Sequence, residues 1–398
     1  MVFDSVNDRK PLDTKLNPAA TETVVPPQAT SPTPVPEDAA LDHPALYFNR
    51  ELGDIDFNWR VLCQAIDERT PLLERVRFVA ITASNMDEFF QKRVGGLKRQ
   101  EAAGVPTLSP DGLSPTEQLE LIREAARIMY GTMDKLWETL RLALREAGIT
   151  VSDYEALSPA GQSTVRAYFR STVYPILTPL AVDPGRPFPF ISSLSLSLAV
   201  TLRHEQYGTR HFVRLKVPVG RGRWLRVEED HFVPIEQVIA HHVGELFPGM
   251  AVEGAHLFRV TRNADVRRDE EEAEDLLAVI SEELRERRFA PLVRLEVERA
   301  MPPHVRHYLL QQLKIGEEDL FEVAGTLNLS HCAELAECPR PDLSFAPWQP
   351  VVPKRLLPTD TTGEAEDIFA VLKAGDLLVH HPYELFEASV QRLIAAAA

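Results

Sequence analysis

The sequence predicts an α+β multidomain protein, with a helical N-terminal domain, an α+β middle (head) domain and the start of a third domain. Three observations carry that prediction. Between about Asp54 and Gly148 apolar side chains recur at three- and four-residue spacings, the period of helices with one buried stripe. From about Val151 the period changes: Leu194, Leu196, Leu198, Val200 and Leu202 alternate with Ser193, Ser195, Ser197 and Thr201, as in a strand with one buried face. Beyond residue 356 a helix, a short apolar strand and a second helix follow, too little for a domain of their own. A chain of 398 residues, 44 % hydrophobic, can bury more than one core, and the expected divisions are 1–42, 43–150, 151–354 and 355–398.

Taken in order, residues 1–42 mix Pro, Thr, Ala and Asp, with Pro26, Pro27, Pro32, Pro34 and Pro36 close together. That composition cannot offset its ordering entropy, so a disordered tail is expected. Thr70-Pro71 reads as N-cap and first-turn proline, followed by Leu72, Leu73, Val76 and Val79. Ser114-Pro115-Thr116-Glu117 is a capping box, and Gly148 a terminal glycine. Between them runs an apolar seam from Leu119 to Leu144, predicting one helix of roughly 33 residues and ~50 Å.

In the middle domain Val213, Leu215 and Val217 follow the first strand across a polar segment with Gly208, which predicts an antiparallel hairpin. Further strands are expected at Trp224–Val227, Leu257–Thr261 and Leu292–Val297, and helices at Gln162–Tyr174, Ile235–Leu246, Glu271–Arg288 and His304–Leu313. In the last segment helices are expected at Glu366–Lys373 and Glu384–Ala398, and a strand at Asp376–His380.

The bulk properties exclude some functions. A net charge of −16 argues against a general nucleic-acid or anionic-membrane binder, which needs a broad positive field, though not against a local basic channel for a polyanion. Cys63, Cys332 and Cys338 have neither disulfide-framework nor zinc-site spacing. No apolar run approaches the ~20 residues that span a bilayer, and the N-terminus lacks an apolar signal core, so the expectation is a soluble, cytoplasmic protein.

Asn85 is the first residue with chemistry to offer. It is expected at a helix break, and Asn85-Met86-Asp87-Glu88 satisfies a capping-box pattern, so its side chain would cap the next helix. Alternatively it presents an amide, donor and acceptor together, to the edge of a purine. Around it, residues 71–100 carry six bases (Arg75, Arg77, Lys92, Arg93, Lys98, Arg99) against three acids (Glu74, Asp87, Glu88), a local balance of +3. Lys92 and Arg93 follow Asn85 most closely and are the phosphate candidates, although a solvated charged face is the plainer reading. The acidic run from Asp269 to Asp275, with Arg285–Arg288 farther along, suits a surface helix and its dipole better than a metal site. The pairs His241-His242 and His380-His381 sit in no metal-ligand motif, and the sequence has neither a Gly-rich phosphate loop nor a nucleophile elbow.

Several blocks resemble the long-chain polyphosphate kinases, which polymerise the terminal phosphate of ATP. They are Tyr47-Phe48-Asn49-Arg50-Glu51-Leu52, Ser84-Asn85-Met86-Asp87-Glu88-Phe89-Phe90, Leu177-Thr178-Pro179-Leu180-Ala181-Val182-Asp183-Pro184, Phe258–Asp265 and Asp376–Tyr383. The resemblance covers about residues 45–395. It implies that the helical domain helps bind nucleotide, with Asn85 touching it, and that the head domain supports a homodimer. It also implies two later domains resembling phospholipase D, which hold a phosphohistidine nucleophile and Mg²⁺, of which residues 355–398 would be the start. No residue of this chain matches that catalytic His, so no catalytic or metal residue is assigned, and this chain alone is expected to be inactive. ATP and polyphosphate are the implied ligands. The alternatives are a non-catalytic nucleotide-binding or dimerisation protein and a helical scaffold without ligand.

Overall fold

The computed structural model describes residue 35 and residues 38–182, 188–264, 290–358 and 367–398. Most of the tail 1–42 and the whole of Glu271–Arg288, for which a helix was expected, lie outside these. The chain divides into two compact units, Met1–Leu343 and Ser344–Ala398.

The first unit opens with α1 (Arg50–Ile66), capped by Asn49, whose side-chain oxygen accepts from the amides of Glu51 and Leu52, both at 3.0 Å. α2 (Leu72–Phe89) starts one residue later than expected: Pro71, with extended ψ, is the N-cap, and Thr70 is buried in the turn before it. The predicted break at Asn85 is absent, and α2 runs straight through it. Val76, Val79, Ala83, Met86 and Phe89 form one unbroken buried stripe. Burying each large side chain is worth about 1.5–3 kcal/mol. Asn inside a helix costs only about 0.7 kcal/mol, so packing wins over local preference.

At Phe90–Val94 the helix widens into a π turn, then continues as α3 (Gly95–Ala102). α4 (Pro115–Glu146) has the expected capping box, with Glu117 Oε2 accepting from the Ser114 amide at 2.8 Å, and it ends ahead of Gly148, whose φ of +92° suits glycine.

A six-stranded sheet follows, in the order β2 (Pro179–Val182), β4 (Arg210–Lys216), β3 (Leu196–His204), β7 (Met250–Arg262), β8 (Leu292–Glu298), β9 (Leu320–Val323). All neighbours are antiparallel except β8 and β9. The predicted hairpin is β3–β4. A small second sheet orders β1 (Thr150–Val151), β6 (His231–Pro234) and β5 (Trp224–Glu228), with β1 parallel to β6.

The expectation of one buried face for β3 is corrected. Leu198 and Val200 pack with Val213 and Leu215 under α5 (Pro159–Tyr168) and α6 (Ile235–His242), while Ala199 on the opposite face packs with Phe212, Phe258 and α7 (Pro303–Leu313). Small or polar side chains such as Ser197, fully buried, let the second layer approach. The helix expected over Gln162–Tyr174 is α only to Tyr168 and then winds through a π and a 3-10 turn.

In the second unit the strand expected at Asp376–His380 is absent; only a single parallel bridge joins Val351 and Glu384. Helix α8 (Ile368–Lys373) and the terminal turns ending in α9 (Arg392–Ala397) form where helices were expected.

Where α4 meets the loop after β9, Asp134 Oδ2 accepts from the Ala324 amide at 3.2 Å, and burial pushes its pKa up to about 6. The folded pKa exceeds the unfolded one, so the carboxylate costs stability above pH 6, and that cost disappears as pH falls toward 4. Asp134→Asn, which keeps the acceptor, should stabilise the chain at pH 7.5 by about 1–2 kcal/mol, after allowance for solvent screening, and not at pH 4. Urea unfolding of both proteins at the two pH values checks this; an equal effect at both would contradict it.

Candidate functional site

α1 and α2 lie side by side, and the candidate residues gather on the face they share. Asn85 Nδ2 donates to Asn58 Oδ1 on α1 at 2.9 Å, and Asn58 Nδ2 donates to the Asp54 carbonyl one turn back at 2.9 Å. Asn58 is buried and Asn85 half-buried. The Asn85 side chain is therefore not a helix cap. It bonds across to the neighbouring helix and keeps polar capacity to spare.

The π turn decides which base lies near it. In a regular α-helix the seventh residue after Asn85, Lys92, would return to the same face. The extra residue in the turn delays that return and brings Arg93 into line instead. Arg93 faces α1, with Nε 3.8 Å from Glu51 and 3.6 Å from Asp54. Lys92 pairs with Glu88 on the exposed side. Burial raises the pKa of Glu51, opposed by the Arg93 charge. Both phosphate candidates thus already hold acidic partners, and a phosphate would have to displace them. The expected surplus of bases is reduced further by Arg77, paired with Glu74, and Lys98, paired with Asp319.

Beneath this face is a buried ionic network that the sequence reading missed. Asp87, two residues beyond Asn85, accepts from Arg259 Nη1 at 2.8 Å and Nη2 at 2.7 Å, and also from Arg294. Glu296 pairs with both arginines, and Arg294 also reaches Tyr130 Oη on α4 and Thr261. All but Tyr130 are under 5 % exposed. Burial alone would push the Asp87 carboxyl up, but the two guanidiniums outweigh it and hold it below the usual range. The network ties α2 and α4 to β7 and β8 and so fixes the helix that carries Asn85. Charged residues on apolar strands, at Arg259, Arg294 and Glu296, were the available signal.

The candidate face is open. Larger concavities lie elsewhere: about 490 Å³ beside Arg127, Asp134 and Phe321, and about 600 Å³ beside His241, Val252 and Glu298. His241 stacks on Tyr154 with ring centres 4.0 Å apart, while His242 Nε2 lies 3.0 Å from Tyr154 Oη. Among the described residues no three His, Cys, Asp or Glu side chains converge to hold a metal ion. No helix among them is long and apolar enough to cross a membrane.

Comparison with known proteins bears on both parts of the first unit. Residues 47–152 match the polyphosphate kinase N-terminal domain, and residues 160–335 the polyphosphate kinase middle domain. The chain is 40 % identical over 402 residues to a polyphosphate kinase of Thermosynechococcus vestitus, covering 94 % of this chain and 55 % of that one. It is 43 % identical over 379 residues to one from Synechocystis sp., covering 89 % and 52 %. The crystal structure of polyphosphate kinase from Porphyromonas gingivalis superposes with a TM-score of 0.71 at 24 % identity, over 88 % of this chain and 49 % of that one, a likeness of fold. The chain thus spans about half the length of the relatives it matches. With two adjacent domain matches in the family's order and relatives aligned along nearly all of its length, the chain belongs to the polyphosphate kinase family and carries that family's N-terminal and middle domains.

Proposed function

We propose that this chain supplies the nucleotide-side part of a polyphosphate kinase, the enzyme that moves the γ-phosphate of ATP reversibly onto inorganic polyphosphate. The observation that carries this reading is Asn85: a half-buried amide tethered to Asn58, with an edge left for a ligand and Arg93 in line with it. Asn85 contacts the base. Arg93, and more remotely Lys92, exchange their carboxylates for phosphate oxygens, a trade that suits a charged ligand entering a partly desolvated face.

In this reading no His of the two matched domains acts as nucleophile. Residues 355–398 begin a domain resembling phospholipase D, the middle domain over 151–354 supports a homodimer, and the protein works in the cytoplasm. Mg²⁺ would arrive with the nucleotide phosphates, since no three His, Cys, Asp or Glu side chains among the described residues form a cradle for it.

Titrating the chain with ATP by calorimetry tests the nucleotide contact. Asn85→Ala should weaken binding by about tenfold, the loss of a pair of hydrogen bonds at a partly buried site. Unchanged affinity would sink the proposal. Incubation with radiolabelled ATP and Mg²⁺ tests the rest: acid-labile label on the chain would mean that it holds a reaction centre after all, with His380 and His381 the first to replace.

A further inference from the structure

We propose that Asn58 is a specificity-determining residue: it locks the Asn85 amide in one orientation, so that the site accepts a six-amino purine and disfavours a six-oxo purine. This rests on the nucleotide reading of Asn85 and goes beyond it by naming what sets the base preference.

The Asp54 carbonyl oxygen on α1 can only accept a hydrogen bond. Asn58 Nδ2 lies 2.9 Å from the Asp54 carbonyl oxygen, so the nitrogen, not the oxygen, of the Asn58 amide faces its own helix. Its Oδ1 must then face α2, where Asn85 Nδ2 meets it at 2.9 Å. Turning Asn85 over would set two carbonyl oxygens against each other at that distance, beside an Asn58 that is only 4 % exposed. The orientation of Asn85 is therefore inherited, through one buried amide, from the backbone of α1.

The consequence lies on the open side. Asn85 Oδ1 holds no protein partner among the described residues, and the second hydrogen of Nδ2 is also free. An acceptor and a donor in that fixed order match adenine, whose amino group donates while the adjacent ring nitrogen accepts. On hypoxanthine the order is reversed along the N1 edge, and along the N7 edge both groups accept. A locked amide cannot follow either change, whereas an unlocked one can flip to meet the N1 edge.

Calorimetric titration of the full chain with ATP and with ITP, which differ at the six position and the N1 proton, tests this. The wild type should prefer ATP by about tenfold or more, because a site built for hydrogen bonds rejects a mismatched partner strongly. Asn58→Leu, which removes the acceptor, should bring the two affinities within about threefold, mainly by improving ITP. Asn58→Ser, too short to reach Asn85, should do the same if the leucine variant fails to fold.

If Asn85→Ala weakens ATP binding but the leucine and serine variants retain the wild-type ratio, the role of Asn58 is overturned and the nucleotide contact stands. Equal binding of ATP and ITP by the wild type overturns it as well. If Asn85→Ala changes nothing, or the chain binds neither nucleotide, both readings fall together.

Discussion

Replacing Asp87 by alanine should destabilise the first unit by about 3–5 kcal/mol, because it strands two buried guanidiniums with a single carboxylate, Glu296, between them. Arg259 and Arg294 are 2 % and 0 % exposed and cannot turn to solvent. Arg294 additionally lies 4.4 Å from the centre of the Phe90 ring, so its movement would disturb the packing at the π turn. Asp87→Asn keeps the shape but not the charge and should cost somewhat less.

The pH dependence has a definite sign. The Asp87 carboxyl is held below its ordinary value in the fold, so its contribution is fully present above about pH 4, the unfolded value, and is lost as pH falls through the lower folded one. Urea unfolding from pH 7 down to pH 2.5 measures both effects. A cost under about 1 kcal/mol at neutral pH, or a wild-type and variant difference that persists unchanged into acid, would show that the network is not held together by charge. Because Asp87 also fixes the segment bearing Asn85, its variants are unsuited to separating binding from folding.

Trp137→Ala should have an effect of similar size, about 3–5 kcal/mol, by a different route. Trp137 is fully buried in the middle of α4, its ring centre 6.1 Å from that of Trp224 on β5, and Nε1 donates to Thr326 Oγ1 at 3.0 Å. Alanine would leave a cavity between the long helix and the sheet-bearing part and orphan the Thr326 hydroxyl. Trp137→Phe fills most of the cavity and loses mainly the hydrogen bond, so about 1–2 kcal/mol is expected. Thermal and urea unfolding of the two variants give the comparison. Equal destabilisation would mean that the hydrogen bond, not the volume, dominates there.

How much of this was legible in the sequence follows from what each feature depends on. The capping box at Ser114 and the hairpin of β3 and β4 are local: their signals lie within a few residues of the structures they predict. The Asn85 pattern was equally local but gave the wrong structure, because a capping box can only start a helix where the preceding turn is free to end. Here Met86 and Phe89 continue a stripe already committed to the core. The site was legible only as a candidate. Asn85 could be singled out, but its partner lies 27 residues away on another helix, and nothing in the spacing of Asp54 and Asn58 says which way two amides point.

By itself, then, the sequence determined the helical and α+β halves, the long capped helix, the family resemblance and the residue to watch. Tertiary structure alone decided the continuous α2, the burial of both faces of the sheet, the π turn that brings Arg93 rather than Lys92 into line with Asn85, and the ionic network around Asp87. The physical reason is the same in each case. Turns, caps and periodicities are settled among neighbours in the chain, whereas burial and charge pairing are settled among residues that meet only once the chain has folded.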